Sequence, residues 1–364
     1  MREEVIELLK RLVEIDSVNA SLVPGAAGEA AIARFVAGWA TDAGLRAEIV
    51  GDSVIVRSNG GPGRKLLLCG HLDTVGLGGV TDPLVPRIEG DRLYGRGAYD
   101  MKAGLAAALI ACRDSNGLAG EVIVAAVSDE EHSSVGIQET LPHLQADAAI
   151  VCEPTELTIA VAHKGFAWTE IEVHGKAAHG SRPHLGVDAI LKTGPILVAL
   201  DKLDRSLRDR SHELLGSGSL HASLISGGRE ETTIPDRCVL TVERRTLPYE
   251  TLADVEQDIA DLLDSCMRAD PELKATSRTT QARDGMQTPQ DAEIVKLLAE
   301  VAGNPEITGA SYWADSAFIS SAGIPTVLYG PGGEGAHADV EWVSIADTIK
   351  CASVLTAAAR RFCG

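Results

Sequence analysis

"KLLLCGHLD", residues 65–73, sets four apolar side chains behind one lysine and follows them at once with a glycine, a histidine and an aspartate. A short apolar run that stops at a turn residue reads as a strand buried on both faces. Working outward, "EVIVAAV" (121–127), "AAIVC" (148–152) and "IPTVLY" (324–329) repeat the pattern, with helical stretches at 101–113 and 344–361 between and after them. Strands of this kind alternating with helices predict a doubly wound α/β layer around a buried parallel sheet.

Between Phe166 and Gln281 the texture changes. Strand 167–174, helix 186–204, strands 219–225 and 236–243, helix 250–268 and strand 272–280 follow in the order β-α-β-β-α-β, the ferredoxin-like arrangement. The reading is therefore of a first domain in two pieces, 1–165 and 282–364, carrying an inserted domain at 166–281. "AHKGF" and "ARDGMQTP" are the two crossings.

The 364 residues suit one or two sizeable cores. A formal net charge of −19 opposes binding to a phosphate backbone or an anionic membrane, so neither nucleic acid nor membrane is an expected partner. The seven cysteines are odd in number, widely spaced and without a C-x-x-C, which points to unpaired thiols in a reducing cytoplasm. The N-terminal "MREEVIELLKRLVEID" places Val5, Leu8, Leu9 and Leu12 at helical spacing and reads as an amphipathic helix, not a signal peptide. The longest charge-free apolar stretch, around 103–112, is too short to cross a bilayer.

Side chains able to bind metal follow the strands directly: His71 and Asp73 after the first, Glu130 and Glu131 after the second, Glu153 after the third, and His337 in the loop after 324–329. Asp100 joins them from "YGRGAYDMKAG", a glycine-rich loop that opens a helix. Carboxyl ends of strands are where open α/β sheets build their sites. Any one of these segments alone is an ordinary loop histidine or a solvated acidic turn; it is their convergence that points to a site. Five carboxylates in one crevice would repel strongly, and cations remove that repulsion. Mixed imidazole and carboxylate donors suit Zn²⁺, Mn²⁺ or Co²⁺, and so many of them suit two ions sharing one carboxylate.

"LLLCGHLDTVG", "YGRGAYDMKAG", "VSDEEHSSVG", "VCEPTEL" and "GPGGEGAHADVEWV" resemble, in order and spacing, the motifs of the co-catalytic zinc amidohydrolase and peptidase family that contains acetylornithine deacetylase, succinyl-diaminopimelate desuccinylase, aminoacylase and glutamate carboxypeptidase. The resemblance implies a zinc domain with an inserted dimerisation lid. It implies that Asp100 bridges two Zn²⁺, that His71 and Glu153 hold one ion, and that Glu131 and His337 hold the other. Asp73 would orient the His71 imidazole, and Glu130 would be the general base. In the lid, "HGKAAHGSRPHLGVDAI" resembles a family segment whose histidine, here His179, polarises the scissile carbonyl in the partner subunit's site; His174 and His184 read as loop histidines. Arg245 falls where the family keeps an arginine for the substrate carboxylate, with Arg244 as a possible one-residue register error. Gly332 and Gly333 would lie at the substrate.

The chain also departs from the family pattern. "EETTIPD" offers Thr232 and Thr233 where many relatives carry asparagine before the "IP", and Asp188 replaces asparagine in "GVDAI". Other chemistries fit less well. "GPGGEG" matches G-x-G-x-x-G, but too little chain follows it for a dinucleotide-binding half, and no G-x-S-x-G marks a serine hydrolase. A metal-dependent small-molecule binder has no use for Glu130 beside Glu131. The sequence thus predicts a cytoplasmic, homodimeric, dizinc deacylase of N-acyl amino acids, resembling acetylornithine deacetylase, in which Co²⁺ or Mn²⁺ can substitute. A dipeptidase or carboxypeptidase acting on short peptides is the alternative.

Overall fold

The computed structural model describes residues 2–364. The chain divides into two compact units: 1–161 with 288–308 and 314–364, and 162–287 with 309–313. The short stretch 309–313 thus groups with the second unit, although the sequence reading assigned everything beyond 281 to the first.

In the first unit the central sheet runs Arg46–Val50, Ser53–Arg57, Glu121–Val127, Lys65–His71, Ala148–Val151, Thr326–Leu328 and Ile159–His163. The four strands read from the sequence pair with one another in parallel. The flanks are antiparallel, which makes the sheet mixed and not wholly parallel. On one flank the cause is local: Arg46–Val50 and Ser53–Arg57 form a hairpin closed by two residues, and Gly51 supplies its positive φ of 58°.

Every residue of Glu121–Val127 and all but the first of Lys65–His71 are buried, as expected for strands covered on both faces. Helix Ala103–Arg113 is buried from Ala103 through Cys112, so its run of small and apolar residues is core all round. Gly104 lets this helix approach the sheet, because a Cβ there would stand 1.9 Å from the Cys152 carbonyl oxygen. That close approach brings the loop ending at Asp100 over the end of the strand that precedes Glu153. The C-terminal helix, Ile345–Cys363, packs against Ala103–Arg113.

The second unit is a four-stranded antiparallel sheet in the order Ser219–Gly227, Arg237–Thr246, Gly165–His174, Lys274–Arg283. By position in the chain this is 2-3-1-4, the ferredoxin-like order. Along Gly165–His174 buried residues alternate with less buried ones, the period of a strand with one face covered. Ile171, Val173, Leu240 and Val242 pack there with Ile196 and Leu200 of helix Ala189–Leu207 and Ile259 and Leu263 of helix Leu252–Ala269. The edge strand Ser219–Gly227 leaves Leu224 and Ile225 exposed. Among the described residues no helix is long and apolar enough to cross a membrane. All seven cysteines are unpaired, and all but Cys266 are buried.

Candidate dinuclear metal centre

The strand Lys65–His71 ends on His71, whose ring is buried. Its Nδ1 lies 2.9 Å from the Asp73 carbonyl oxygen, an acceptor that fixes the proton on Nδ1 and leaves Nε2 free as a donor of electrons. Nε2 stands 3.1 Å from Asp100 Oδ1 and 3.9 Å from Glu153 Oε1. On the other side of Asp100, His337 Nε2 lies 3.4 Å from Oδ2 and 3.0 Å from Glu131 Oε2. Asp100 therefore presents one carboxylate oxygen to each imidazole.

Two triads result, His71–Asp100–Glu153 and Asp100–Glu131–His337, each with its donor atoms within 4.8 Å of one another. The donor set is imidazole and carboxylate in both, the mixture that suits first-row transition ions and Zn²⁺. The residues fit a pair of cations sharing Asp100.

Electrostatics point the same way. Burial first, then the charges of Glu153, Asp315 and Glu131, push Glu130 well above the usual carboxylate range against the pull of His71. Burial likewise lifts Glu153 to about 8. Hydrogen bonds to Asp100 and Glu131 raise His337 to about 10. Partial burial works against the charged form of Asp100, yet its bonds to His337 and His71 hold it below its ordinary value. So much buried negative charge shared by two imidazoles is what a cation pair would neutralise.

Asp73 is more than a partner for His71. Its carboxylate lies 3.4 Å from His71 Nδ1, farther than its own backbone carbonyl. Its oxygens instead accept the backbone N–H groups of Glu130 at 3.2 Å and Glu131 at 3.1 Å. Burial disfavours the charged form of Asp73, but His71, Asn19 and the Glu131 amide keep its pKa lowered. Asn19, which the sequence reading did not single out, donates from Nδ2 to Asp73 at 2.9 Å and to Asp129 at 3.0 Å. Nothing in the spacing of "DSVNA" marks it, since its partners lie 54 and 110 positions away.

Comparison with known proteins agrees with this geometry. Residues 67–361 match the model of Peptidase family M20/M25/M40. The chain belongs to peptidase family M20/M25/M40. It is similar to an acetylornithine deacetylase of Myxococcus xanthus, 33% identical over 85% of this chain and 84% of that one. It is similar also to a putative succinyl-diaminopimelate desuccinylase DapE of Mycobacterium tuberculosis, 32% identical over 100% and 99% of the two chains. Among solved structures it shares the fold of the Bacillus subtilis YXEP protein, a dinuclear metal-binding M20 peptidase, with a TM-score of 0.77, 15% identity and coverage of 100% and 98%. As a member of the M20 family the chain is a metal-dependent hydrolase of the peptidase and deacylase class.

The second unit of this M20 chain holds the other two residues of interest. His179 is exposed in the short strand Ala178–His179. Its Nδ1 accepts the backbone N–H of Ser181 at 3.1 Å, which leaves the ring proton on Nε2 as a donor. Arg244 is buried and bound to Glu250 at 2.6 Å and Asp258 at 3.2 Å. Arg245, on the opposite face of the strand, is partly exposed, pairs with Glu243 at 2.8 Å and lies over the Phe166 ring. Of the two arginines only Arg245 has a head group free of the interior.

Gly332 and Gly333 lie in the first unit beside Tyr99, Glu156 and Asp347. The Gly333 N–H points to Glu156 at 3.4 Å, and that carboxylate also takes the Tyr99 hydroxyl at 2.8 Å. A Cβ on Gly332 would meet the Glu156 and Asp347 oxygens at 2.3 and 2.6 Å. Glycine is needed there for the closeness of these carboxylates.

Proposed function

We propose that this chain is a dizinc deacylase that cleaves the amide of an N-acyl amino acid bearing a free α-carboxylate, with acetylornithine-type substrates as the first choice. The observation that carries the reading is Asp100 offering one oxygen to each of two complete donor triads. Relatives named for deacylation, at 33% and 32% identity, support deacylase over peptidase. The imidazole–carboxylate donors support Zn²⁺ as the resident ion, with Co²⁺ or Mn²⁺ able to replace it.

When bound, such a pair of ions makes water a stronger acid and polarises a carbonyl. The chain's own groups do the rest. Glu130, held by its backbone N–H on Asp73, takes the proton of the attacking water and returns it to the leaving amine. Asp73 holds both His71 and the Glu130–Glu131 backbone. His179 donates from Nε2 to the carbonyl oxygen of the scissile amide in the partner subunit's site. Arg245 takes the α-carboxylate through its planar fork, and Gly332 and Gly333 leave space beside the substrate.

Homodimerisation is part of this reading. Strand Ser219–Gly227 is an edge with unpaired backbone groups, and exposed Leu224, Ile225, Leu191 and Val198 lie on it and on helix Ala189–Leu207. The opposite edge, Lys274–Arg283, is polar and unsuited to the same role. The unpaired, buried cysteines support a cytoplasmic setting.

The test is a panel of N-acyl amino acids, their α-esters and dipeptides, assayed with Zn²⁺, Co²⁺ or Mn²⁺. The expected profile is turnover of N-acyl amino acids that is lost on esterification. Turnover confined to dipeptides would overturn the deacylase assignment, and no turnover of any amide by protein carrying two ions would overturn hydrolysis itself.

A further inference from the structure

Glu341 is buried, carries a full carboxylate's accepting capacity, and binds no candidate ion. Its Oε1 accepts the backbone N–H groups of Tyr99 at 3.0 Å and Asp100 at 3.1 Å. Its Oε2 accepts the Gly97 N–H at 2.9 Å and Arg96 Nη1 at 2.8 Å. All four donors come from one loop of five residues, 96–100, and that loop ends on the carboxylate shared by both triads. Arg96 is buried as well, and its Nη2 donates to the Ala338 carbonyl at 3.0 Å, one residue past His337.

A buried ion pair is seldom retained for stability, because an apolar pair of the same volume serves as well or better. Arg96 even leaves its Nε without a partner. What this pair does that apolar residues could not do is join two loops by direction-specific bonds. One loop supplies Asp100 and the other supplies His337, which are two of the three donors of the Asp100–Glu131–His337 triad. Glu131, the third, is set independently by Asp73. We propose that Glu341 and Arg96 are positioning residues for the second cation, holding Asp100 in register with His337. The proposal rests on the dinuclear reading above.

The division of labour between the two residues makes it testable. Glu341→Gln keeps the shape but can accept on one atom only, so the N–H groups of loop 97–100 lose half their anchor and both cradles lose the fixed Asp100. Arg96→Lys keeps a cation against Glu341 but cannot fork to Ala338, so only the His337 side is released.

Metal-free protein is titrated with Co²⁺ while visible absorption and heat are followed, and thermal unfolding of the metal-free forms is measured in parallel. Wild type is expected to take two ions. Arg96→Lys is expected to take the first ion as wild type does and the second about 10–100-fold more weakly, the usual effect of losing a group that orients a ligand. Glu341→Gln is expected to weaken both steps. A merely structural pair would lower the unfolding temperature and leave both affinities of the folded protein at wild-type values; that result overturns the proposal. Should Glu341→Gln not fold, Arg96→Lys decides alone: wild-type affinity at both steps rejects the role of the pair. If wild type itself takes fewer than two ions, it is the dinuclear reading that fails.

Discussion

Replacing Asp73 by asparagine keeps the size of the side chain and removes half of its accepting capacity. Three donors converge on its two oxygens, Glu130 N at 3.2 Å on Oδ1 and Asn19 Nδ2 at 2.9 Å and Glu131 N at 3.1 Å on Oδ2, while His71 Nδ1, 3.4 Å from Oδ1, already donates to the Asp73 carbonyl. An amide can accept on one atom only, so whichever way it turns, at least one of these donors faces an NH₂ group. Each donor left unsatisfied costs about 1–3 kcal/mol, so the metal-free variant should lose at least about 1–3 kcal/mol of stability. His71 keeps its orientation through the Asp73 backbone carbonyl, which the substitution leaves in place. The functional loss should therefore fall on Glu130 and Glu131, as slower turnover and a weaker second ion, with the His71–Glu153 side closer to wild type. Denaturant unfolding of the metal-free protein measures the first quantity, and stepwise titration against a competing chelator measures the second. An Asp73→Asn variant within about 0.5 kcal/mol of wild type, with both ions bound as tightly, would refute the reasoning, since that is the range of substitutions touching nothing important.

Glu130→Gln should retain both ions and lose about 10²–10⁴-fold in turnover, the usual worth of a positioned base, whereas Glu131→Gln should also shed one ion; elemental analysis beside the rate assay separates them. His163 is fully buried, with Nε2 unpartnered and its pKa pressed down to about 4. Between its unfolded value near 6.5 and that value the unfolded chain binds the extra proton, so stability is present above about pH 6.5 and falls by about 3 kcal/mol as pH drops through the window. His163→Phe should remove that increment, and parallel unfolding curves for the two proteins from pH 7 to pH 4 would contradict it. If His179 serves the partner subunit's site, mixing inactive Glu130→Ala and His179→Ala proteins should restore about a quarter of wild-type activity, because about half the dimers are mixed and each has one intact site. No recovery after verified subunit exchange would place His179 elsewhere.

The central strands were legible because they are apolar without interruption: Lys65–His71 and Glu121–Val127 need no partner information to be recognised as interior. The hairpin Arg46–Arg57 was not singled out, since its outer strand is largely exposed and "RAEIV" has no sharp alternation. In the second unit the four long strands and the two long helices fall within a few residues of their sequence positions, for period-2 alternation and amphipathic helices leave local marks, whereas short strands such as Ala178–His179 leave none. The candidate donors were legible because each follows a strand or opens a helix and carries a side chain with metal chemistry. Asn19, Arg96 and Glu341 were not, because their work is done on backbone groups and carboxylates far away in the chain. Arg96 and Glu341 meet across 245 positions, and no residue type announces a contact of that kind.

The order of the donors along the chain has a consequence for synthesis. His71, Asp100 and Glu153 have all left the ribosome long before His337, and 184 positions separate Glu153 from it. At about 5–20 residues per second, the nascent chain holds the components of one cradle for roughly 10–40 s before the other can close. The strand Thr326–Leu328, which slots between Ala148–Val151 and Ile159–His163, arrives in the same late segment. On the dinuclear reading one cradle thus has its donors early, yet Glu341, which anchors the loop carrying Asp100, is made after His337, so neither cradle is firm until the chain is almost complete.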